Sequence, residues 1–225
     1  MTAMHVALLF SLFAVRFAYA GDEPVAEPTV PAMDAEAQVR ATYAGYRQAL
    51  VDFDAATASA LVDRGTIGWY QDALKDALEL DAAALARRDA VRRLTVLGMR
   101  VDFDRSQLEA LTGATVFTFY VEHGRLGKAM VEADPGLGVV TIDGRVARAE
   151  FPAYPGAPVL NFVLEGGTWK IALWKSSNSA SAVMDQLEAQ SGMTDDEFFR
   201  TSFANLLGRK VKRSEYRALC DGPRP

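Results

Sequence analysis

The segment PVLNFVLEGGTWKIALWK (158–175) constrains the fold more than any other stretch of this chain. Gly166-Gly167 can adopt the positive φ angles that a two-residue turn demands, and β-branched and aromatic residues flank it on both sides. Counting outward from the turn pairs Leu164 with Trp169, Phe162 with Ile171 and Leu160 with Leu173, an apolar face that has to be covered. The opposite face pairs Glu165 with Thr168, Val163 with Lys170, Asn161 with Ala172 and Val159 with Trp174. That face is mixed, so Trp169 reads as a core residue and Trp174 as a surface one. Val159, Asn161, Val163 and Trp174 are therefore the candidates for a partner interface.

A second hairpin precedes it. GVVTIDGRVARAEF (138–151) carries Asp143-Gly144 as the turn, which sets Val140 opposite Ala147 and Gly138 opposite Ala149. Before residue 125 the pattern is helical. Val39, Tyr43, Tyr46, Leu50 and Phe53 recur at spacings of four and three, with Asp34 as the expected N-cap. A short helix is expected between Asp54 and Asp63, and Ile67, Tyr70, Leu74 and Leu78 form the stripe of a third. Asp81 caps a fourth, with Leu80 and Leu85 as a staple, and Ser106 with Glu109 reads as the capping box of a fifth. ATVFTFYVEHG (114–124) has the β-branched and aromatic density of a strand, yet it follows a helix start and lacks alternation. Thr194 and Glu197 form a further capping box, starting a helix through Phe199, Phe203 and Leu206 to Gly208. Helices followed by antiparallel hairpins predict an α+β fold with N-terminal helices packed on a curved sheet and a C-terminal helical extension.

The N-terminus differs in kind from the rest. MTAMHVALLFSLFAVRFAYA (1–20) has an apolar run and a small-x-small pattern at Ala18-Tyr19-Ala20, the form of a secretory signal peptide. It is too short, and interrupted by Arg16, for a membrane span, so no stable span is expected after cleavage, and the protein is expected to be periplasmic or secreted. Residues 21–33 are proline-rich and acidic and read as a disordered linker; 34–208 read as a single domain and 209–225 as a basic tail. Cys220 is the single cysteine, so no internal disulfide can form.

The long tyrosine-bearing first helix, the further helices and the ending Phe162-Val163-Leu164-Glu165-Gly166-Gly167-Thr168-Trp169-Lys170-Ile171 resemble the nuclear transport factor 2-like (cystatin-like α+β) superfamily over residues 35–175. The resemblance implies a cone formed by the sheet, and it assigns 114–124 to a helix against its propensity. In some members a carboxylate and a tyrosine in the cone move protons; in others the cone binds a ligand or mediates dimerisation. Fold alone does not choose between these.

Tyr43, Tyr46, Trp69 and Tyr70 are the candidates for lining a ligand pocket. No acid falls on the apolar face of either hairpin, so the leading expectation is a non-catalytic exported domain that binds a small apolar ligand or an envelope protein, with a homodimer through the mixed sheet face. The alternative is an acid–base enzyme of the isomerase, dehydratase or cyclase type. No catalytic residue is assigned, and no cofactor is expected. His123 is read as an exposed helix-end residue, and with no second histidine downstream of residue 20 a transition-metal site lacks ligands. VDFD occurs at 51–54 and at 101–104, each time before a predicted helix, and is read as capping. The net charge of −5 disfavours nucleic acid as a partner. Arg87, Arg88, Arg92 and Arg93 are expected on a solvated helix face.

Overall fold

The computed structural model describes residues 32–127, 136–151 and 159–225, and among them the chain is α+β, with ten helices and a four-stranded antiparallel sheet that is not closed into a barrel. Residues 1–20, and the linker up to residue 31, lie outside the described residues.

Helix α1 (Ala32–Val51) begins two residues before the expected N-cap Asp34, and it buries Val39, Tyr43, Tyr46 and Leu50 as one stripe. Phe53 does not continue that stripe. The helix closes with Asp54 N donating to Ala49 O at 2.8 Å and Phe53 N donating to Leu50 O at 3.4 Å, which puts Phe53 at the left-handed position with φ 56°. Helices α2 (Ala55–Leu61), α3 (Arg64–Glu79) and α4 (Ala82–Leu85) start where Asp54, Asp63 and Asp81 accept from the backbone N–H three residues on.

The expected fourth helix is in fact two. Asp89 caps a new one, α5 (Ala90–Asp102), which carries Arg92, Arg93 and Arg100. The capping box of α6 (Arg105–Ala110) is Asp104 with Gln107, not Ser106 with Glu109; Ser106 Oγ instead donates to Asp104 Oδ1 at 2.8 Å. Residues 113–122 are helical (α7, Gly113–Glu122), opened by Thr112 and Thr115. Tertiary packing overrides strand propensity here. A Cβ at position 113 would lie 2.5 Å from Gln71 N and 2.6 Å from Ile67 O, so glycine permits α7 to press against α3.

Strands β1 (Val140–Asp143), β2 (Val146–Ala149), β3 (Leu160–Glu165) and β4 (Thr168–Ile171) form a meander in sequence order. The first hairpin turns at Gly144-Arg145 rather than Asp143-Gly144, so Val140 opposes Ala149 and Ile142 opposes Ala147. The shift is two residues in register, which leaves every side chain on its expected face; Ala147 and Ala149 are buried. The second hairpin holds the expected register from Glu165–Thr168 to Phe162–Ile171. Helix α1 covers its apolar face, with Thr42 Oγ1 donating to Trp169 O at 3.2 Å, and Trp169 and Phe162 are fully buried. Burial of such a side chain contributes about 1.5–3 kcal/mol.

Beyond Ile171 the strand stops. Ala172 N still donates to Asn161 O, but Leu173 opens a helix, α8 (Leu173–Ser191), so the pairs Leu160–Leu173 and Val159–Trp174 do not form. The cause is tertiary. Asp63, buried at the start of α3, accepts from Thr66 N at 2.8 Å and from Trp174 Nε1 at 2.9 Å, while Thr66 Oγ1 accepts from Leu173 N at 3.0 Å. Asp63 thus caps α3, where the helix dipole favours its charge, and through Trp174 and Thr66 it ties the start of α8 to the same place. A Cβ on Gly65 would collide with the Trp174 indole, so this glycine lets the ring reach Asp63.

Helix α9 (Asp195–Leu207) carries the expected Thr194–Glu197 capping box and ends at Gly208 in the left-handed conformation. Its Phe199 and Phe203 are buried, whereas Leu206 is 54% exposed. The basic segment 209–225 holds helix α10 (Arg213–Asp221), with Tyr216 and Leu219 buried.

Arg87, Arg88, Arg92 and Arg93 do not form one solvated face, being split between the turn before α5 and α5 itself. Arg93 makes a two-pronged ion pair with Asp195 at 2.7 and 2.9 Å and lies 3.5 Å from the Phe199 ring centre. Arg92 sits 4.3 Å above the Trp69 ring, and Arg88 pairs with Asp76 at 2.7 Å. Arg100 is completely buried and donates to the carbonyls of Ala77, Leu80, Leu219 and Cys220, at the C-terminal ends of α3 and α10. A cation is favoured at such helix ends, and the guanidinium has enough donors to serve both.

Candidate functional site

The last turns of α1 and α9 approach α3, α5 and α7 without closing on them, which leaves a cavity of about 790 Å³ among these helices. Its walls are largely apolar: Leu50, Val51 and Phe53 from the end of α1, Tyr70 from α3, Val91, Leu94, Thr95 and Gly98 from α5, Phe119 and Tyr120 from α7, and Leu206 and Leu207 from α9. Val51, Phe53 and Leu206 are 37%, 54% and 54% exposed. They are half of the six large apolar side chains exposed among the described residues, so exposed apolar surface concentrates at this one opening.

One end of the cavity is polar. Asp102 reaches it from the last turn of α5, and Arg125 Nη2, from the segment after α7, donates to Asp102 Oδ1 at 2.8 Å. The Asp102 side chain is only 9% exposed, and Oδ2 accepts no hydrogen bond among the described residues. Burial pushes the Asp102 carboxyl above the usual carboxylate range, in spite of the opposing pull of Arg125 and His123. His123 caps α7, is exposed as expected, stacks on Phe119 at 3.9 Å, and its Nδ1 lies 2.9 Å from Phe119 O.

Tyr120 closes the floor. Its hydroxyl is buried without a hydrogen-bond partner among the described residues and packs beside Gly98, where a Cβ would lie 3.3 Å away. Burial, and then the Asp102 charge, push the Tyr120 phenol far up, so it stays protonated. Neutral tyrosine and strained carboxylate therefore share one apolar chamber.

Of the four ring residues expected to line a pocket, Tyr70 does so. Tyr43 and Tyr46 are buried elsewhere in the core, Tyr43 with its ring 6.3 Å from that of Phe151, and Trp69 lies half-buried under Arg92. Val159, Asn161 and Val163 do lie half-buried on β3 or its edge, but Trp174 is on α8 with its indole N–H committed to Asp63. Asn161 N and Nδ2 donate to Ser176 Oγ at 3.1 and 3.3 Å, so the start of α8 occupies part of that face.

The repeated VDFD resolves into two different uses. Asp54 and Asp104 cap helices as expected, and Asp52 accepts from Gln48 Nε2 at 2.9 Å near the surface. Asp102 alone turns inward. The inward acid comes from a helix and not from the strands, and its signal in the sequence is a carboxylate inside the last turn of α5, where the helix dipole disfavours it. Among the described residues no group of three or more His, Cys, Asp or Glu is arranged to hold a metal ion, and no helix is long and apolar enough to cross a membrane. The chain matches no protein-family model, no curated protein and no solved structure.

Proposed function

We propose that this is an exported binding protein that takes up a small, predominantly apolar molecule in the cavity between α1, α3, α5, α7 and α9. The observation that carries the reading is the coincidence of that chamber with exposed Val51, Phe53 and Leu206 at its mouth. Exposed apolar residues in water cost solubility, and concentrating them at one opening suits a ligand that covers them. The backbone of Phe53 supports it further. A β-carbon in the left-handed region costs about 1–2 kcal/mol, and glycine would avoid this, yet the strained position carries a ring that meets Gly124 at the rim.

The test is saturable binding of a neutral apolar fluorophore, N-phenyl-1-naphthylamine. One site per chain is expected, and Thr95→Trp, which fills the chamber from α5, should weaken binding about tenfold or more. Unsaturable uptake, or full binding by the filled variant, would sink the proposal. Export is supported by the pattern of residues 1–20, and intact mass of the protein from the periplasm or medium should show their removal.

Membership of the nuclear transport factor 2-like superfamily, with its cone and a dimer across the outer face of β3, stays a proposal. What supports it is the order of helices before hairpins and the register of Phe162–Ile171. A second reading, acid–base catalysis, is favoured by the raised Asp102 beside a neutral Tyr120. Proton exchange into a bound carbonyl compound, lost in Asp102→Asn with binding retained, would establish it; its absence across a ketone panel would dismiss it.

A further inference from the structure

Asp102 stands where three effects oppose a negative charge. It lies in the last turn of a helix, its side chain is nine-tenths buried, and the cavity walls beyond Arg125 and His123 are apolar. Arg125 offsets part of this through Oδ1, but Arg125 is itself 40% exposed, so water weakens the pair. Oδ2 is left without a hydrogen bond among the described residues, on a side chain that lines the cavity. Oδ2 itself is not fully buried, so it stays an accessible acceptor in the cavity, and a ligand that displaces water from it has to supply a donor.

The geometry points to a ligand that carries a hydroxyl: we propose that the cavity takes a neutral, largely apolar alcohol whose O–H donates to Asp102 Oδ2 while its hydrocarbon body fills the chamber towards Phe53 and Leu206. This rests on the ligand-binding reading above and names the ligand class. Charge selects against the neighbouring classes. A carboxylate ligand would face the Asp102 charge. An ammonium would meet Arg125, which already neutralises Asp102, and would leave its own remaining N–H groups among apolar walls. A hydrocarbon would leave Oδ2 unsatisfied.

The test uses naphthalenes matched in shape that differ in one group: 2-(hydroxymethyl)naphthalene, 2-ethylnaphthalene, 2-naphthoate and 2-(aminomethyl)naphthalene. Each displaces N-phenyl-1-naphthylamine from the full-length protein lacking only residues 1–20. A charge-assisted hydrogen bond to Oδ2 corresponds to a preference of about tenfold or more for the alcohol over the ethyl compound. Asp102→Asn, which keeps the volume and removes the charge, should bring the two within about twofold. Should that variant fail to fold, the ranking on the unaltered protein decides by itself. Equal binding of alcohol and hydrocarbon overturns the hydroxyl assignment and leaves the cavity reading standing. Tightest binding by naphthoate or by the amine overturns it in favour of Arg125 or of an uncompensated carboxylate. Displacement by none of the four overturns both.

Discussion

Replacing Arg100 by Met should unseat the C-terminal helix and cost the protein much of its stability. Arg100 is fully buried and donates to the carbonyls of Ala77, Leu80, Leu219 and Cys220. Methionine matches the aliphatic stem and donates nothing, so four carbonyls lose a charged donor and stay buried. A hydrogen bond to a charged group contributes about 1.5–3 kcal/mol, but removing the cation also removes its desolvation cost, which burial makes large enough to lower its pKa. The net loss is then about 3–5 kcal/mol, a substantial share of the roughly 5–15 kcal/mol that holds a domain together. Urea denaturation followed by circular dichroism reads the change in midpoint, and hydrogen exchange reads where it falls. Exchange should accelerate first in α10 and at the end of α3. Arg100→Lys should recover little, because a single ammonium cannot reach both helix ends as the planar guanidinium does. A loss under about 1 kcal/mol, or an α10 as protected as before, would refute the account. The position matters for the site as well, since Arg100 anchors the turn of α5 that carries Asp102.

Two further outcomes follow from local geometry. The folded pKa of Asp102 is raised above its ordinary 3.8, so the folded state binds the proton more tightly, and the carboxylate's destabilising contribution is fully present above the folded pKa and relieved as pH falls towards 3.8. Asp102→Asn should therefore flatten the stability–pH curve in that window, with Arg125, His123 and Arg224 as the charges facing the site; a curve unchanged by the substitution would show that Asp102 is not desolvated. Gly65→Ala should push the Trp174 indole off Asp63 and cost about 2–3 kcal/mol, and the same change in a Trp174→Phe background should cost clearly less; equal costs in the two backgrounds would exclude the contact as the cause.

Interactions that span three or four residues were largely legible in the sequence, the capping box of α6 and the Asp89 cap of α5 excepted. Asp54, Asp81 and Thr194 cap helices because a short side chain reaches the N–H three positions on whatever lies beyond. Gly166-Gly167 places Trp169, Ile171 and Phe162 on one buried face because strand periodicity is exact at two. Local pattern also gave the α+β order. It failed where a distant partner reset the local choice. KIALWK reads as strand to its end, and only Asp63 and Thr66, more than a hundred residues earlier, turn Leu173 and Trp174 into a helix start. ATVFTFY has the residues of a strand, yet it is helical and packs on α3 at a distance that only Gly113 permits. Four arginines look alike on a helical wheel, yet packing sends Arg93 to Asp195 and Phe199, seats Arg92 on Trp69 and leaves Arg87 in water.

The cavity belongs wholly to the second category. Its walls come from five helices, and a void is a property of how far apart packed surfaces stop, which no single segment encodes. One copy of VDFD ends beside a surface glutamine and the other beside a buried tyrosine, with the same four letters in each. Sequence fixed that both aspartates at the last position would cap a helix. The direction of the one two residues earlier was decided only when α5 packed against α7 and took Asp102 out of water.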